Sequence, residues 1–173
     1  MRGVFLDISK AFDKVWHKGL LFKLKQNGIS GKLLNLISDF LSNRKQRVVL
    51  NGQYSSWANI EAGVPQGSIL GPLFFLIYIN DLSENLETNP KLFADDTSLF
   101  SIVHDLHLTA NELNRDLAKI NDWAYQWKMY FNPDPTKQAQ EVVFSRKTQR
   151  QNHRPLHFNK NFVQKYFVLI FRP

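Results

Sequence analysis

The 173-residue chain is 43% hydrophobic and 21% charged, enough apolar material to bury one core and too much for wholesale disorder. It has no cysteine, which excludes disulfides, a zinc finger and a thiol nucleophile and fits a reducing compartment. The net charge is +7, and acidic residues stop at Glu141, so the basic excess lies in the C-terminal stretch, fitting either a polyanionic partner or a solvated tail.

In chain order, Gly3 to Leu6 is an apolar run ending on Asp7, which reads as a buried strand delivering a carboxylate. Leu20, Leu21 and Leu24 recur at helical spacing, and Asn27-Gly28 supplies the stop. Leu33, Leu34, Ile37, Phe40 and Leu41 predict a second amphipathic helix. Arg47 to Leu50, Asn51-Gly52 and Tyr54 to Ile60 predict a β-hairpin with a type I′ turn. Gly63 to Gly67 is a turn-rich loop. The run Ile69 to Ile79 is too short to span a membrane and, being apolar almost all round, predicts a helix buried on most faces. Lys91 to Ser101 reads as two strands meeting around Ala94-Asp95-Asp96. From Leu106 to Trp127, apolar residues step by three and four, an amphipathic helix whose Trp123 and Trp127 are read as core. Val142 to Ser145 predicts a strand and Tyr166 to Phe171 an edge strand. The first residues lack a signal-peptide pattern. Strands interleaved with helices indicate an α+β domain.

The aspartates stand out chemically. A lone aspartate at a strand end, such as Asp7, is ordinarily a cap or turn former. Asp95-Asp96, set between Leu92-Phe93 and Leu99-Phe100, would place adjacent like charges in an apolar setting, where desolvation and repulsion call for a cation. All-oxygen ligands of this kind suit Mg²⁺ or Mn²⁺ rather than zinc.

Three segments then carry a resemblance. Phe5-Leu6-Asp7-Ile8-Ser9-Lys10-Ala11-Phe12-Asp13 resembles motif A of reverse transcriptases, Gly63 through Pro72 (GVPQGSILGP) resembles motif B, and Phe93-Ala94-Asp95-Asp96 resembles motif C, in the family's order. The wording is similar to non-LTR retrotransposons of the jockey and CR1 type. The resemblance implies an RNA-directed DNA polymerase acting on an RNA template, a DNA primer and a dNTP, with Mg²⁺ (or Mn²⁺) as cofactor and nuclear action. It implies a polymerase palm-type α+β fold, with a small antiparallel sheet packed on helices. The palm would span residues 1–150, followed by a basic, weakly structured tail at 151–173.

Residue by residue, it makes Asp7, Asp95, Asp96 and the Ile8 carbonyl the metal ligands, with Asp7 and Asp95 bridging two metal ions and Asp96 the second carboxylate of the motif C turn. Phe12 becomes the steric gate against a 2′-hydroxyl, or else a core aromatic, and Gln66 and Gly67 border the incoming nucleotide, or else are plain turn residues. Asn132 to Lys137 resembles motif D, with Lys137 near the triphosphate; an ordinary solvated lysine is the alternative. Arg44, Lys45 and Arg47 are candidates for phosphate contacts to template or primer, or else a solvated basic turn.

The stretch before Asp7 is too short to hold the family's fingers, and Gln164 to Ile170 bears only a faint likeness to its primer-grip region. The expectation is therefore a palm without complete fingers and thumb, weak in polymerisation by itself and exposing apolar surface prone to association. The competing expectation is a nucleic-acid-binding remnant without catalysis.

Overall fold

A computed structural model describes residues 1–146 and 153–170. The chain forms two compact units, one built from Met1–Ser9 and the chain from Asp81 onward, the other from Lys10–Asn80.

The first unit is organised by a five-stranded sheet in the order β11-β8-β1-β7-β6, with β1 (Arg2–Asp7) at its centre. β6 (Asn89–Phe93) and β7 (Asp96–Ser101) form a hairpin, and β8 (Ala139–Ser145) flanks β1 on the other side. These pairings are antiparallel. The expected all-antiparallel sheet needs correction at its edge: β11 (Gln164–Leu169) joins β8 in parallel. The chain can reverse through the short ladder β9 (His157–Phe158) and β10 (Asn161–Phe162) before running back along β8. The predicted edge strand is thus real.

The expectation of a weakly structured tail fails over 153–170, where Leu156, Phe158 and Val163 are buried. Apolar side chains outweighed the basic ones that suggested a tail. Residues 151, 152 and 171–173 lie outside the described residues.

The long helix α4 (Leu106–Gln126) starts where Asp105 accepts hydrogen bonds from the N–H groups of His107 and Leu108, both 2.8 Å. That cap satisfies two otherwise orphaned donors and holds the Asp105 carboxyl below its ordinary range. Ala110, Leu113, Leu117, Ile120 and Ala124 form its buried stripe, and Trp127 is buried just beyond it. Trp123 instead uses its indole N–H, donated to Asp81 at 2.8 Å. Asp116, fully buried on α4, accepts hydrogen bonds from the N–H groups of Glu87 and Thr88 and from the Thr88 hydroxyl. It thereby fixes the segment that enters β6.

His153 is buried, and burial first, then the Arg2 and Lys165 charges, lower its pKa from the ordinary 6.5. Folding therefore favours the neutral ring. Its contribution is complete above pH 6.5 and is lost as pH falls through the depressed folded value, because the unfolded chain takes up the proton first. Denaturant midpoints should fall between pH 7.5 and 5.5, and His153→Asn should flatten that dependence. The Glu87 carboxylate, pulled down to about 2 chiefly by hydrogen bonds from Arg115 and Lys119, responds only in a more acidic window.

In the second unit, α1 (His17–Gln26), α2 (Gly31–Leu41) and α3 (Leu70–Ile79) pack through Leu20, Leu24, Ile37, Leu41, Phe74, Phe75 and Tyr78. Between α2 and α3 lies a hairpin arm in two ladders. β2 (Lys45–Gln46) pairs with β5 (Ala58–Asn59), and β3 (Val49–Leu50) with β4 (Gln53–Tyr54). Asn51 and Gly52 both have positive φ, 47° and 77°, as the predicted type I′ turn requires. The prediction that α3 is buried on most faces is corrected: Ile69, Leu70, Leu73 and Leu76 are exposed. Composition alone could not separate its covered side from its open one. Among the described residues, no helix is long and apolar enough to cross a membrane.

Candidate active site

Within the first unit, the antiparallel register of β1 and β7 sets Asp7 directly opposite Asp96. Cross-strand partners share a face of the sheet, with Cα atoms about 4.5–5.5 Å apart, so two residues 89 positions apart become neighbours. Asp95 belongs to the two-residue turn between β6 and β7. The other turn residue, Ala94, has a left-handed φ of 51°, a conformation that favours glycine and costs an alanine roughly 1 kcal/mol or more. The strained tip holds both aspartates at the end of the hairpin.

Asp7 is fixed from the opposite side. Its carbonyl accepts from the Asn132 N–H at 2.9 Å, and its carboxylate accepts from the Asn132 side-chain amide at 2.7 Å. The Ser9 N–H donates to Tyr130, also in this segment, so Ile8 and Phe131 form the bridged pair between them. By backbone alternation, the Ile8 carbonyl points away from Phe131, free of that ladder.

Two expectations are corrected by these observations. The carboxylates are not in an apolar setting: Asp7 and Asp96 are exposed and Asp95 is half-buried. Nor, among the described residues, does any group of three His, Cys, Asp or Glu side chains gather closely enough to hold a metal ion. The register sets Asp96 opposite Asp7, while Asp95 precedes it in the turn. A register-paired couple of carboxylates still fits magnesium, which keeps several waters and commonly takes one or two protein carboxylates.

Lys137 lies on the short helix α5 (Pro135–Gln138), five residues beyond Asn132, with its ammonium 3.8 Å from the Asp134 carboxylate. Asp134 caps this turn through the Thr136 N–H and hydroxyl, which lowers its own pKa.

The second unit brings the motif A and motif B segments together. The Val64 N–H donates to the Phe12 carbonyl at 2.9 Å, and the Gly63 N–H to that of Val15 at 2.8 Å. Gln66 donates to the Asp13 carboxylate at 2.8 Å. Gly63 has φ of +90°, and a Cβ there would sit 2.9 Å from the Asp13 backbone, so only glycine allows this approach. Phe12 stacks on the buried Phe75, ring centroids 4.5 Å apart at 26°, and remains half-buried. Gln66 and Gly67 are exposed. An open cavity of about 530 Å³ is lined by Lys10, Asp13, Lys14, Arg44, Glu61 and Gln66, among others. Lys45 and Arg47 continue into the exposed arm.

Sequence reasoning gave no role to Asn132, 125 residues from the aspartate it holds. No local pattern marks so distant a hydrogen bond.

The mixed α/β unit thus presents paired aspartates at a strand end, beside a hairpin tip carrying a third. The sequence pattern of reverse transcriptase (RNA-dependent DNA polymerase) matches residues 2–158, and the chain belongs to that family. It is 32% identical over 154 residues to the RNA-directed DNA polymerase from mobile element jockey of Drosophila melanogaster, covering 84% of this chain and 16% of that protein. With the Drosophila funebris jockey polymerase it shares 38% identity over 136 residues, 74% of this chain and 15% of the relative. A probable RNA-directed DNA polymerase from transposon X-element of Drosophila melanogaster is 33% identical over 149 residues, 83% and 16% of the two chains. The chain thus spans about one sixth of these relatives. The resemblance to non-LTR retrotransposon reverse transcriptases is met.

Proposed function

We propose that the chain carries the palm-type catalytic centre of an RNA-directed DNA polymerase, joining a dNTP to a primer 3′-hydroxyl on an RNA template. The observation that carries this reading is the register pairing of Asp7 with Asp96, inside the family match. Asp7 and Asp96, with Asp95 and the Ile8 carbonyl, would hold Mg²⁺ or Mn²⁺. Bound there, the cations would lower the pKa of the attacking hydroxyl and neutralise charge on the phosphates.

The chain's own residues supply position. Asn132 orients the Asp7 carboxylate. Phe12, backed by Phe75, offers a flat ring against which a deoxyribose fits and a 2′-hydroxyl does not. Gln66, held by Asp13, and Gly67 border the nucleotide. Lys137 is the cation for the leaving pyrophosphate. Arg44, Lys45 and Arg47 contact strand phosphates. In the transfer, the primer oxygen bonds to the α-phosphorus, the bond to pyrophosphate breaks, and the hydroxyl proton leaves to solvent.

The test is primer extension by the purified chain on an RNA template with dNTPs and Mg²⁺ or Mn²⁺. Extension stopped by chelator and by Asp95→Asn supports the reading. Extension that survives both overturns it. So does its absence when the same protein binds template-primer equally with and without chelator, which would leave a binding remnant.

A further inference from the structure

The hairpin arm of the second unit has no core. Every residue from Lys45 to Asn59 is exposed, although the arm carries Val48, Val49, Leu50, Tyr54 and Trp57. A two-stranded hairpin open on both faces is marginal alone, and this one places large apolar groups where solvent alone is an unfavourable neighbour. Its charge is one-sided. Arg44, Lys45 and Arg47 are basic, and no acidic residue occurs between Asp39 and Glu61.

One cation and two rings are already organised. The Arg47 guanidinium carbon lies 4.2 Å from the Tyr54 ring centroid and 4.6 Å from that of Trp57. A guanidinium set over aromatic faces keeps its N–H groups in the plane of the fork, where they can meet a phosphate. The rings remain 61% and 59% exposed, which leaves ring surface for a further planar group. Exposed rings, a guanidinium edge and flanking cations without acids together match unpaired bases on a phosphate backbone. A duplex hides its base faces, and an apolar protein partner would leave the cations unmatched.

We propose that Trp57 and Tyr54, with Arg47 between strand charge and ring, form a stacking platform for single-stranded nucleic acid on this arm. The platform rests on the nucleic-acid reading of the chain and adds to it the unpaired strand as ligand and the two rings as the residues that grip bases.

Binding is measured by fluorescence anisotropy on the full chain in chelator, so that the aspartates play no part and the outcome is separate from that of primer extension. The probes are a mixed-sequence RNA 20-mer, the DNA 20-mer, an abasic DNA 20-mer of the same length and a DNA duplex. Trp57→Ala and Tyr54→Ala should each weaken binding of a single strand roughly five- to a hundredfold, and leave the abasic strand and the duplex within about twofold. Trp57→Phe should restore most of the loss, which a folding defect would not allow. A loss confined to the RNA or the DNA strand identifies which of the two the arm takes. Unchanged single-strand affinity in both variants overturns the proposal. Equal losses on base-bearing and abasic strands overturn it too, as does a Trp57→Ala variant that changes only the oligomeric state.

Discussion

Replacing Asp7 with Asn should make the metal-free protein slightly more stable, remove its stabilisation by Mg²⁺ or Mn²⁺, and cut primer extension by about a thousandfold or more. The three effects share one cause. Asp7 and Asp96 are directly opposite in the β1–β7 ladder, and like charges in that relation destabilise a sheet by roughly 0.2–1 kcal/mol. Asparagine removes the repulsion and keeps the shape, and its amide oxygen can still accept from the Asn132 side chain that now bonds the carboxylate.

On the proposed reading a divalent cation should reverse the balance in the wild type, by binding the folded pair and raising the melting temperature by linkage. The variant has half of that pair and should gain little. Melting curves with chelator and with added cation, run on both proteins, read the repulsion and the binding separately. A variant that melts lower without metal, yet gains as much as the wild type when metal is added, would show that the pair is not the ligand set.

Much of the fold was legible because the signals are local. Asn51-Gly52 demanded positive φ and an I′ turn, and the three-and-four spacing through α4 predicted its buried stripe. Burial of one side of α3 was not legible, since a helix apolar all round carries no periodic mark of where its neighbours lie. The order around 153–170 was missed for a related reason. Leu156, Phe158 and Val163 are too sparse to announce a core, and β11 finds its place only by pairing in parallel with a strand some 24 residues earlier.

The aspartates were found by motif and chemistry, yet their roles in space needed the register. The resemblance gave Asp95 the place beside Asp7 and made Asp96 the second carboxylate of the turn, whereas the strand register sets Asp96 opposite Asp7. The expectation of an apolar surrounding failed because Leu92, Phe93, Leu99 and Phe100 are neighbours in sequence, whereas alternation along each strand distributes them over two faces. Asn132 lay inside the motif D resemblance, but no local signal marked its bonds to Asp7, and the Tyr54–Arg47–Trp57 contact was missed because an exposed aromatic near an arginine is common in sequence.

Arg2 and Glu141 should give the largest stability effect in the chain. Both side chains are fully buried, and Arg2 Nε donates to the carboxylate at 2.7 Å. The pair ties the central strand β1 to β8 at positions offset in their ladder. A second Arg2 nitrogen donates to the Arg154 carbonyl at 3.0 Å, so the C-terminal segment is anchored to the same pair, and within that segment the Lys165 ammonium donates to the His153 carbonyl at 2.9 Å. Removing one partner leaves the other ionised in an apolar interior, and Arg2→Ala or Glu141→Ala should each cost about 3–5 kcal/mol in urea unfolding. Replacing both by apolar residues of similar size, Arg2→Met with Glu141→Leu, should recover most of that loss, because neither charge then has to be desolvated. Among the described residues Arg2 Nη1 and Glu141 Oε2 have no hydrogen-bond partner, which lowers what the native pair itself contributes and strengthens the expected rescue. Single variants that unfold no more easily than the wild type would mean that water reaches these charges. A double variant as unstable as the sum of the two would mean that shape at this junction, rather than charge, holds β1, β8 and β11 together.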